Sequence, residues 1–319
     1  MNTVNVLIEM GFVRPLAGRV VALHPMVQEI TVADMKPSIE RCRKLCDTLQ
    51  DICLQHGADV SYLKLLFQTI ENVISFADKD NLTFYLRFLE DVFPYMEKYQ
   101  YESGMQLILA ELEKLLDEHS VGSVNDKALL LDYHAAIEPK KEKAIKFEKE
   151  ALALLNEVTA ENAHLAANLH ANMGDLYPTA GKIDLARQHM ETGIAILEQY
   201  NLLYMHDSVP QICNYAVLLT ETGEAERGMS ALRKLSRIVK DYNSDISADY
   251  ATVQEAMGGI SLTQGKISDA TEHFKKAMKI YEMVLDSEPE LIEDKYEEIA
   301  KMYPQAGIEL AQRFLAKRK

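Results

Sequence analysis

From residue 36 onward the chain alternates apolar stretches at helical spacing with short polar breaks. Ile39, Cys42, Cys46, Leu49 and Cys53 recur every three, four or seven residues, which places them on one face of a helix. His56-Gly57 reads as its stop, and further helices are expected over roughly 59–77, 81–99 and 102–118. Downstream the breaks themselves are periodic. Gly181, Gly223, Gly265 and Gly307 are spaced by 42 residues, and two more columns keep the step: Ala144, Ala186, Gly228 and Ala270, then Gly174, Ala216, Gly258 and Ala300. Tyr177-Pro178-Thr179-Ala180-Gly181 matches Tyr303-Pro304-Gln305-Ala306-Gly307 at three times that period. A period of this length marks a repeat architecture.

Each repeat reads as a helical hairpin. A glycine just past the first helix can take the left-handed conformation that ends it and turns the chain. Small residues facing each other let the two helices close, and Met190, Leu232 and Phe274 are expected to fill the space between neighbouring hairpins. The composition agrees: 14 Gly and 9 Pro in 319 residues leave little punctuation for hairpin-rich sheets, so the chain is expected to be all-α. Three regions are expected: 1–34, a helical stretch with eroded repeats over 35–124, and about five repeats over 125–319, the first and last degenerate. Ser103-Gly104-Met105 echoes Arg227-Gly228-Met229 and links the second region to the third.

Met173-Gly174-Asp175-Leu176-Tyr177, then Gly181, Ala186, Met190 and Gly193, carry the large-small, aromatic, turn-glycine and second-helix columns of the tetratricopeptide repeat family, which 125–319 resembles. The step of 42 and an asparagine before the large-small pair, at Asn172 and Asn214, are similar to the kinesin-light-chain type of repeat. Leu130, Ala256 and Glu298 hold that column elsewhere, so an asparagine ladder along the whole length is not expected. The resemblance implies a right-handed superhelical solenoid of antiparallel helix pairs whose first helices line a concave face, and a non-catalytic module binding a protein or peptide there. Asn168, Asn172, Asp175, Asn214, Glu221 and Glu255 are the candidate groove residues, with Glu297 near them. Asn172 and Asn214 either grip a ligand or bridge neighbouring hairpins. Shared acidity along that face would favour a Lys- or Arg-containing partner.

Residues 1–34 differ in kind. A short helix ending at Met10-Gly11, the strand-forming Gly18-Arg19-Val20-Val21-Ala22-Leu23, and a helix opening at His24-Pro25-Met26 follow one another. Leu23-His24-Pro25 and Val27-Gln28-Glu29 resemble the end of the winged-helix domain in signal-transducing nucleotide-switch ATPases of the NB-ARC class. That likeness implies the sensor portion of a larger protein, self-association being a matter for the parent. Two alternatives stand: the effector-sensing part of a transcription regulator, and a free-standing adaptor.

Subtracting 49 acidic from 34 basic residues leaves a net charge of −15, which argues against direct nucleic-acid or anionic-membrane binding. Lys140, Lys141, Lys143 and Lys146 are the one basic cluster, interrupted by Glu142 and without interleaved aromatics. With no long apolar span and no secretory leader pattern, a cytoplasmic protein is expected. Cys42, Cys46, Cys53 and His56 do not form a metal site by spacing, since Cys42 and His56 would lie about 20 Å apart along one helix. His164 and His170 read as groove-facing or packed, with no convergent nucleophile or carboxylates around them. No phosphate-cradling or hydrolase motif occurs, and neither enzyme activity nor a cofactor is expected.

Overall fold

The computed structural model describes residues 3–15, 21–54, 63–285 and 289–302. Those residues form fifteen α-helices and one two-stranded ribbon, in two compact units, Met1–Gly122 and Ser123–Lys319.

In the first unit α1 (Thr3–Glu9) is followed by Gly11 at φ +76°, a conformation open to glycine. Strand β1 (Val13–Pro15) pairs antiparallel with β2 (Val21–Leu23), Val13 opposite Leu23. The His24 N–H then bonds the Phe12 carbonyl at 2.9 Å, and Pro25 opens α2 (Pro25–Met35), where its fixed φ suits the first helical turn. The earlier part of the expected strand, 18–20, lies outside the described residues. Helices α3 (Arg43–Leu54), α4 (Leu63–Phe76), α5 (Leu82–Lys98) and α6 (Glu102–Glu113) follow, α6 continuing into a π-helical turn over Lys114–Glu118. Tyr85, Phe88, Phe93 and Tyr95 are fully buried among them. Cys46 and Cys53 point into the same core, where burial pushes their thiols up to about 11 and about 12. They pack as small apolar side chains; His56 and the expected stop beside it lie outside the described residues.

The second unit is a run of hairpins: α7 (Val124–Ile137) with α8 (Lys141–Leu155), α9 (Ala163–Thr179) with α10 (Ile183–Gln199), α11 (Ser208–Glu221) with α12 (Ala225–Asn243), and α13 (Ala248–Thr263) with α14 (Ile267–Val284). Helix α15 (Pro289–Met302) follows; the Gly307 turn expected after it lies outside the described residues. Gly181, Gly223 and Gly265 take φ of +70°, +89° and +72°. In each case the next residue's N–H reaches five residues back: Lys182 to Tyr177, Glu224 to Leu219 and Lys266 to Ser261, at 3.0, 2.7 and 2.9 Å. The 42-residue glycine column is therefore a column of helix-ending turns in which orphan carbonyls find donors.

Met190 packs over Gly174 of its own hairpin and shares a cluster with Ile145 of the preceding hairpin and Tyr215 and Leu218 of the following one. Phe274 likewise lies against Gly258. These large residues close their own hairpin as well as joining it to the next, which is more than the spacing alone suggests. The core is thus continuous from hairpin to hairpin.

Candidate peptide-binding face

The first helices α7, α9, α11 and α13 run side by side, and polar side chains join α7 to α9 and α9 to α11. Between α9 and α11 this seam has three rungs. His164 Nε2 lies 3.5 Å from Asp207 Oδ2, Gln211 Nε2 donates to Asn168 Oδ1 at 2.5 Å, and Asn214 Nδ2 donates to Asp175 Oδ2 at 3.0 Å. The rungs recur because His164, Asn168 and Asp175 share one face of α9, as Asp207, Gln211 and Asn214 share one side at the start of α11. Between α7 and α9, Asn172 Nδ2 donates to Asp132 Oδ1 at 2.8 Å. Between the α11 and α13 hairpins, His206 Nδ1 meets Asp249 Oδ1, while Asn243 Nδ2 donates to Asp249 Oδ2 at 2.7 Å.

The two asparagines singled out by their column therefore bridge neighbouring hairpins, each onto a carboxylate. Asp175 and Asn168 enter the same seam as acceptors. Burial pushes the Asp175 carboxyl above the usual range, and the Asn214 amide draws it back. Glu221 and Glu255 lie apart from it. Glu221 is exposed at the end of α11. Glu255 turns toward α14 and α15: its Oε2 accepts from the Tyr281 hydroxyl at 3.0 Å and lies 3.6 Å from Lys295 Nζ, and burial raises its pKa despite both partners. Glu297 is exposed and lies 3.8 Å from Lys301.

Several seam residues were legible but not read as such. His164 and His206 are 42 residues apart, and so are Asp207 and Asp249, so the histidine-to-aspartate rung is itself periodic. Asp132 and Gln211 carry no such signal; their partners lie 40 and 43 residues away, a stagger that depends on how one hairpin sits on the next.

His170 lies inside the second hairpin. Its Nδ1 is 2.8 Å from His189 Nδ1 of α10, and burial holds its pKa down to about 4. His189 is lowered too, first by burial and then by Lys149 of α8. Two imidazoles at that distance share one proton at most, which makes them a packed pair. Among the described residues no group of three or more His, Cys, Asp or Glu is placed to hold a metal ion, and no helix is long and apolar enough to cross a membrane. Lys143 and Lys146 of the basic cluster lie within 3.8 and 3.5 Å of Glu138 and Glu150.

The arrangement of first and second helices recurs in solved structures. BtubC (BKLC) from P. vanneervenii superposes with a TM-score of 0.53 at 19% identity, over 68% of this chain and 88% of that one. The fold is a TPR-like helical solenoid. A putative kinesin light chain with nearly identical TPR-like repeats from Podosopora anserina reaches 0.49 at 12% identity over 63% of this chain and 97% of its own. A Rap protein complexed with Competence and Sporulation Factor also reaches 0.49, at 17% identity over 86% and 77%. No protein-family model matches the chain, and no curated protein sequence does.

Proposed function

We propose that residues 125–319 form a non-catalytic module that binds a protein or peptide segment along its first helices, and that the segment carries Lys or Arg. One observation carries this reading. The charged side chains placed along the seam are carboxylates, Asp132, Asp175 and Asp207, and the amides of Asn172 and Asn214 each give one N–H to such a group. Such a face suits a donor-rich cation and offers little to an anionic segment.

The test uses short peptides alternating Lys with Ala, or Glu with Ala, titrated against the full chain by fluorescence anisotropy. The Lys peptide should bind and weaken with added salt, and the Glu peptide should not. Changing Asp175 to Asn, which removes a carboxylate but keeps an acceptor for the Asn214 amide, should weaken the Lys peptide by about 1–3 kcal/mol. Equal binding of both peptides, or an unchanged affinity in that variant, would remove this face from the site.

The wider context we propose is the sensor arm of a nucleotide-switch ATPase, supported by the helix, ribbon and helix over Thr3–Met35 and by Leu23-His24-Pro25 at its last junction. An antibody against the repeats should detect a native polypeptide much larger than 36.1 kDa. A band at that mass would favour the free-standing adaptor instead.

A further inference from the structure

The second helices α10 and α12 are bridged by two ion pairs, Glu191 to Arg227 at 3.0 Å and Glu198 to Lys234 at 2.5 Å. Both pairs are seven residues apart on each helix, about 10 Å along the axis. Between these bars lies a cleft of about 340 Å³. Each wall helix sits close on its own first helix at a glycine. A Cβ at Gly193 would meet the Ala167 carbonyl oxygen at 3.0 Å, and one at Gly228 would meet that of Ala216 at 2.6 Å. Each second helix is thereby drawn onto its own first helix, and the small Ala195 and Ala231 on the facing walls leave the space between unfilled. Ile212 and Tyr215 of α11 form the floor.

The chemistry of the lining restricts the occupant. The rim carries two anions and two cations, each paired across the gap, so its charges cancel. The Tyr215 hydroxyl donates to Glu191 at 2.9 Å and accepts from Arg227 Nη2 at 3.0 Å, so it too is engaged. A charged guest would face an apolar floor with its rim counter-ions already paired to each other, and an extended peptide would find partners for its N–H and C=O groups only at the rim. The volume lies at the small end of the range of ligand pockets. We propose that this cleft is a binding site for a small, uncharged, apolar molecule the size of a single substituted ring, separate from the first-helix face.

Toluene is a suitable probe, titrated into the full chain with labelled isoleucine methyl groups. The methyls of Ile194, Ile212 and Ile238, which line the cleft, should shift saturably. Ala195→Leu places a larger side chain on an exposed wall position and should weaken toluene at least tenfold while the melting temperature stays within a degree or two; Ala231→Leu provides a second filling of the same space. The proposal is overturned if no methyl of the cleft shifts saturably, if the shifts fall elsewhere in the core, or if a folded filling variant binds toluene like the parent.

Discussion

The pair His170 and His189 ties a single residue type to a measurable pH response. The His170 pKa is about 4 in the folded chain against about 6.5 when unfolded. Above the higher value both states are neutral and the pair costs nothing. Between the two values only the unfolded chain takes up the proton, so stability falls as pH falls, levelling off near 4. We expect roughly 1–2 kcal/mol of lost stability between pH 7 and pH 5 from His170, measured by urea unfolding. His170→Gln should flatten that slope, and imidazole signals in the folded chain should show His170 neutral at pH 5. A charged His170 at that pH would mean that the hairpin opens more readily than its packing indicates.

Helices close on each other here through small residues, and the atom each one meets decides its tolerance. Gly228 faces the backbone of Ala216, which cannot swing aside, so Gly228→Ala should cost about 1–3 kcal/mol. Gly174 faces Met190, whose Cγ would lie 2.4 Å from an added Cβ, so Met190 must change rotamer within a packed cluster; alanine's helix preference of up to about 1 kcal/mol offsets part of this, and Gly174→Ala should cost less than Gly228→Ala. Thermal melts of the two variants check the contrast; equal losses would contradict it. Both glycines belong to columns visible in the sequence, as do the turn glycines at 181, 223 and 265, because a steric requirement on one backbone position leaves a mark on one residue. The seam across α9 and α11 was less legible. Asn172 and Asn214 stand out by spacing, but Asp132 and Gln211 are chosen by the stagger between hairpins, which no single column records. Glu255 shows the opposite failure: its position suggested the open face, while Tyr281 and Lys295, on helices that follow it, turn it inward.

In the second unit burial passes from each hairpin to its neighbours, and stability should be graded along it. Hydrogen exchange followed by mass spectrometry should find the strongest protection in α9 to α12, which have a described hairpin on either side. Uniform protection from Ser123 to Met302 would indicate one cooperative block. The same nearest-neighbour design bears on mechanical load. A hairpin such as Ala163–Gln199 stores a contour of roughly 120 Å in two folded helices, at 3.3–3.6 Å per extended residue. Pulled from its ends, the second unit should therefore lengthen in steps of about that size, one hairpin at a time, and rewind in similar steps when the tension is released. A chain built this way behaves as a spring with discrete notches.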